Sequence, residues 1–126
     1  MGCKNHRMLV TLIYYLAREK SVVETLNPIF AKEAPIFVST ITELELLSFS
    51  NLSPDDFSHI ANVLRATFSV ALDPRIARIA STIRRRTKID TPDAAIAATA
   101  IATGTTLISR NVKDFEKVPN LSIQSI

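Results

Sequence analysis

Short apolar runs alternate with longer segments of helical pattern along the chain. Leu12 to Lys20 reads as a helix, and Val22 to Ala31 as a second helical piece broken near Pro28. Pro35-Ile36-Phe37-Val38-Ser39 has the β-branched and aromatic content of a buried strand. A helix is expected from about Ile41 to Phe49, and another from Ser53-Pro54-Asp55-Asp56 to about Thr67. Phe68 to Leu72 reads as a second strand, and Asp73-Pro74 opens a helix to about Arg86. An Ala-rich helix, the strand Thr106 to Ser109 and a last edge strand at Leu121-Ser122-Ile123 complete the series. Strands and helices alternating at this pitch predict an α/β domain with a mainly parallel sheet.

The segment TPDAAIAATAIATGTTLISRNVKDF, residues 91–115, is the most informative. Thr91 suits an N-cap, Pro92 a first helical position and Gly104 the helix stop. The alanines between them allow close packing. Asp93 falls in the first turn, and Asp114 lies just past the following strand. Carboxylates so placed can meet at one edge of a parallel sheet, where open α/β folds bind ligands.

Composition narrows the class. A chain of 126 residues is expected to form one domain with a real core. Hydrophobic residues make up 47% and charged residues 21%, as in a globular protein. Fifteen basic against twelve acidic residues give a net charge of +3, compatible with nucleic acid without demanding it. The single cysteine, Cys3, excludes an internal disulfide framework. Met8 to Leu16 is apolar but too short to span a bilayer and lacks a small-residue cleavage site. A cytoplasmic location is the expectation.

Each candidate carboxylate has a structural alternative. Thr40-Ile41-Thr42-Glu43 has capping-box spacing, which accounts for Glu43. Glu45 has no such role and stands among Leu44, Leu46 and Leu47, where a lone charge needs a cation or a donor. Asp93 suits a helix dipole, although Asp90 competes for the cap. Asp114 suits a turn, with Ser109 and Asn111 leaving the same strand. Asp55, Asp56 and Asp73 read as capping residues. Arg84-Arg85-Arg86-Thr87-Lys88, with Arg75 and Arg78, reads as a solvated helix end or as a phosphate-contacting patch. His6 and His59 show no metal-ligand spacing.

The combination ITELELLSF followed by TPDAAIAATAIATGTTLISRNVKDFEKVPNL resembles the PIN-domain proteins, and among them the VapC-type toxins of bacterial toxin–antitoxin pairs. LIYYLAREK is similar to that family's first helix. The resemblance implies a three-layer α/β/α fold and a metal-dependent ribonuclease whose carboxylates hold Mg²⁺ or Mn²⁺. It places the family's acidic positions on Glu45, Asp93 and Asp114, with Asn111 as a further polar ligand. It also implies an RNA substrate, a cognate antitoxin and a homodimer. The family's first strand ends in an acidic motif, whereas this chain has Met8-Leu9-Val10 there and no Asp or Glu before Glu19. An atypical first strand within residues 1–10 is therefore expected. The alternative is a catalytically impaired homologue that still binds antitoxin or dimerises.

Overall fold

A computed structural model describes residues 8–10, 35–48, 50–109 and 111–125. The two helical segments expected between Leu12 and Ala31, and residues Cys3 and His6, lie outside the described residues. Among the described residues, five parallel strands form one sheet: β1 (Met8–Val10), β2 (Ile36–Ser39), β3 (Phe68–Val70), β4 (Thr106–Ser109) and β5 (Ile123–Ser125). Their order is β3-β2-β1-β4-β5. The described helices are α1 (Thr40–Leu47), α2 (Pro54–Arg65), α3 (Pro74–Thr87), α4 (Thr91–Thr103) and the short α5 (Val112–Phe115). The sheet and its helices make the three-layer α/β/α arrangement expected from the sequence.

Chain direction through the sheet reverses between β1 and β4, because β1 leads outward to β2 and β3 while β4 leads to β5. Such a switch point leaves a crevice beyond the carboxyl ends of the strands. β1 occupies the centre: Met8 pairs with Ile36 on one side, and Val10 with Ile108 on the other. The unusual N-terminal sequence therefore still supplies the middle strand. Central strands of parallel sheets are ordinarily apolar throughout, and the sequence Met-Leu-Val has that composition.

The core is built on α4. Ala94, Ala95, Ile96, Ala97, Ala98, Thr99 and Ala100 are all buried, so the helix is enclosed on most of its circumference. Alanine side chains permit this because they add little width to the helix cylinder. Ile76 and Ile83 of α3, Leu107 of β4, and Phe115 and Val118 pack in the same cluster. Gly104 ends α4 in the left-handed region at φ 66°, which a glycine adopts without Cβ strain.

Local capping follows the sequence with shifts of one residue. Ser39, not Thr40, caps α1, its Oγ accepting from the Ile41 N–H at 3.1 Å. Thr40 instead accepts from the Leu72 N–H at 3.2 Å, and the Glu43 carboxylate accepts from the Ser69 hydroxyl. The expected Thr40–Glu43 capping box is thus replaced by two ties between α1 and the β3 segment. A capping box does form at Ser53 and Asp56, and Asp73 caps α3 by accepting from the Ile76 N–H at 2.9 Å. Asp90, not Thr91, is the N-cap of α4, and its side chain makes no capping bond. The last strand lies two residues further on than the sequence suggests, at Ile123–Ser125. Among the described residues no helix is long and apolar enough to cross a membrane.

Candidate active site

The switch-point edge gathers the candidate side chains from three places. Glu45 comes from α1, which begins directly where β2 ends. Asp93 comes from the first turn of α4. Asn111 and Asp114 come from the turn after β4.

Asn111 ties the last two together. The chain leaves β4 through Ser109, whose Oγ accepts from the Asn111 N–H at 3.0 Å. Asn111 stands at the N-cap of α5, yet its side chain does not cap that turn. Its Nδ2 instead donates to Asp93 Oδ2 at 3.3 Å and to Asp114 Oδ2 at 3.1 Å. One amide has two such hydrogens, so it satisfies a lone pair on each carboxylate while leaving their other oxygens available. Phe115, 1% exposed, anchors the turn in the core beside Asp114.

Electrostatics support a site poised for a cation. Burial raises the Asp93 pKa above its ordinary value, and the charges of Asp90 and then Asp114 raise it further; the Asn111 hydrogen bond opposes this. Burial also raises the Glu45 pKa, with Asp93 adding to the effect. Loss of water and mutual repulsion both disfavour the ionised forms. Among the described residues, the ion pair at this edge is Lys117 Nζ to Asp114 Oδ1 at 3.7 Å, between partly exposed groups. Such a pair is weak and neutralises neither Asp93 nor Glu45.

The Glu45 environment differs from the expectation. Leu44 and Leu47 are 61% and 44% exposed, and only Leu46 among its neighbours is in the core. Leucines on both sides of Glu45 hid which face of α1 turns inward. Glu45 is accordingly half-buried rather than sealed among leucines. Asp90 takes the N-cap position that it was expected to contest, and its carboxylate, free of a capping bond, also raises the Asp93 pKa; the three-residue spacing at a helix start is the signal for this.

The donor set consists of oxygens, suited to a hard divalent cation. Asp93 and Asp114 already converge on one amide, and Glu45 is electrostatically coupled to Asp93. Among the described residues, no group of three Asp, Glu, His or Cys side chains is close enough to enclose a metal ion. The oxygen donors fit a hard cation in kind, with Asp93 and Asp114 joined through one amide and Glu45 coupled to Asp93 by charge.

The basic candidates divide. Arg84 donates from Nε to the Ile89 carbonyl at 3.0 Å and from Nη1 to Thr91 Oγ1 at 2.9 Å, fastening the α3–α4 turn. Arg75 donates to the Ala102 carbonyl at 3.3 Å. Arg75, Arg78, Arg84, Arg85 and Arg86 are all exposed, but Arg75 and Arg84 tie separate segments together, whereas Arg85 donates within its own helix, to Thr82 Oγ1 at 3.2 Å.

A family model described as the PIN domain matches residues 11–121. No curated protein sequence matches the chain. Among solved structures, it is similar to a chain of the VapBC2 crystal structure from Rickettsia felis, bound to a promoter DNA fragment: 25% identity over 95% of this chain and 98% of that one, TM-score 0.79. It is also similar to DNA-bound VapBC from Salmonella typhimurium, at 21% identity, 95% and 97% coverage and TM-score 0.79. A toxin–antitoxin complex from Klebsiella pneumoniae gives 24%, 95% and 99%, with TM-score 0.73.

Proposed function

Because the chain belongs to the PIN domain family, we propose that it is a VapC-type toxin that hydrolyses RNA phosphodiesters as a metal-dependent endoribonuclease. The observation that carries this reading is the Asp93–Asn111–Asp114 bridge at the switch-point edge, with Glu45 coupled to it. Glu45, Asp93 and Asp114, with Asn111 beside them, would hold Mg²⁺ or Mn²⁺. Bound there, such an ion lowers the pKa of a water and offsets charge on the phosphate. The chain's own residues do the rest. Asn111 fixes the relative orientation of Asp93 and Asp114, and their repulsion disfavours the cation-free site. Burial at Asp93 reduces competition from water for whatever it binds.

The solved relatives are toxin–antitoxin assemblies, which supports a cognate antitoxin as partner. A homodimer and a cytoplasmic location belong to the same reading. A second reading, an impaired homologue that keeps antitoxin binding, is favoured by one specific observation. The central strand Met8–Val10 contributes no carboxylate to the edge where the family's first acidic motif stands.

The test is cleavage of a structured RNA by the purified protein with Mg²⁺ or Mn²⁺, beside an EDTA control and Asp93→Asn. Cleavage abolished in both controls is the expected result. Absence of cleavage by a protein that is folded by circular dichroism would refute the enzyme reading and leave the impaired homologue.

A further inference from the structure

Thr42 has a buried hydroxyl with no hydrogen-bond partner among the described residues. It is 1% exposed. Buried polar atoms are almost always satisfied, so an exception calls for a reason. Other helical threonines show how the problem is ordinarily solved. Thr87 donates to the Ile83 carbonyl at 2.8 Å, Thr99 to Ala95 at 2.7 Å and Thr103 to Thr99 at 2.7 Å, each four residues back. Thr42 is in the first turn of α1, so the residue four back, Val38, belongs to β2. Carbonyls within a strand are directed toward neighbouring strands and not along the axis of a following helix. Valine would fill the same space without a stranded hydroxyl.

Thr42 is also three residues before Glu45, the spacing at which helical side chains are neighbours. Threonine bears a donor, and an ionised Glu45 accepts only. We infer that Thr42 is a positioning residue for Glu45: its hydroxyl donates to the Glu45 carboxylate when that side chain turns into the site to bind a divalent cation. The inference rests on the metal-site reading above. It assigns the unsatisfied hydroxyl a partner three residues on along the same helix, and it explains why an orphaned donor stands in the turn that leads to a half-buried carboxylate. Groups that orient a metal-bound carboxylate contribute about 10–100-fold to metal affinity.

The experiment compares the wild type, Thr42→Val, Thr42→Ser and Glu45→Gln. Mn²⁺ binding is read by electron paramagnetic resonance without RNA, and thermal unfolding is followed in EDTA. Thr42→Val is expected to weaken Mn²⁺ binding about 10–100-fold, and Thr42→Ser to restore it. In EDTA the valine variant is expected to melt at the wild-type temperature or about 3–5 °C above it, since no satisfied bond is lost. On the Glu45→Gln background, Thr42→Val should cause no further loss of binding. Wild-type Mn²⁺ affinity in Thr42→Val, or a lowered melting temperature in EDTA, would overturn the inference. A wild type that binds no Mn²⁺ would remove the metal-site reading itself. The two failures are distinct, because in the first the wild type and valine variant bind alike, and in the second nothing binds.

Discussion

Replacing Phe115 by alanine tests whether the turn bearing Asp114 is held by the core. Phe115 is 1% exposed and packs in the cluster built on α4. The turn α5 has only four residues and no side-chain cap bond, so hydrogen bonding gives it little independent stability. Transfer of a fully buried aromatic side chain contributes about 1.5–3 kcal/mol. The cavity left by truncation brings the total cost to about 3–5 kcal/mol. A domain of this length has about 6–19 kcal/mol of total stability, so the variant should fold but melt well below the wild type. Urea unfolding in EDTA at pH 7, followed by circular dichroism, gives the loss directly. Phe115→Leu should cost less, because most of the volume is kept. A second readout links packing to the site. The Asp114 charge helps to raise the Asp93 pKa. A loosened turn should therefore let the Asp93 pKa fall, seen in a ¹³C carboxylate titration. A loss under about 1 kcal/mol in Phe115→Ala would refute the reasoning, since no fully buried phenylalanine in a tight core is removed at that cost.

Asp93→Asn should alter stability with a defined sign. The folded pKa of Asp93 is raised, so its ionised form destabilises the cation-free protein above the unfolded pKa near 3.8, and this cost fades as pH falls through the folded value. Asparagine carries no charge, so in EDTA the variant should have a higher urea midpoint than wild type at pH 7, with the gap closing as pH approaches 4. A wild type more stable than the variant throughout that range would contradict the electrostatic account. Gly104→Ala should cost about 1 kcal/mol although no atom lies within 4 Å of the added Cβ, because the positive φ itself is unfavourable for alanine. An unchanged melting temperature would mean that the end of α4 relaxes freely.

Much of this arrangement was legible because its causes are local. Pro92, the alanines and Gly104 define α4 almost without reference to other segments, and Thr106 to Ser109 is a strand at the bounds its β-branched run suggests. Asp93, Asn111 and Asp114 were each picked out by position relative to those elements, and a shared amide brings the two carboxylates together. What sequence concealed depends on distant contacts. Nothing near Glu43 announces Ser69, twenty-six residues away, as its partner. Leucines stand at 44, 46 and 47 on either side of Glu45, so the pattern does not reveal that Leu44 and Leu47 face outward while Leu46 is buried. The unsatisfied hydroxyl of Thr42 arises only because α1 starts immediately after β2, a junction whose exact register the propensities leave open by a residue or two.

The first strand shows that fold and chemistry make separable demands on one segment. To occupy the centre of a parallel sheet, residues 8–10 need to be apolar and to present backbone groups to both neighbours. They pair with β2 and with β4 in register, so the demand of the fold is met. A carboxylate at the end of that strand would serve only the chemistry, and placing it among Glu45, Asp93 and Asp114 would add further repulsion in the absence of a cation. A strand without that carboxylate spares the scaffold this repulsion and, on the proposed metal-site reading, offers one ligand fewer. The same reasoning explains how the PIN architecture persists in a chain without that residue: stability comes from α4 and its packed neighbours, whereas the carboxylates at the switch point work against it until something positively charged arrives.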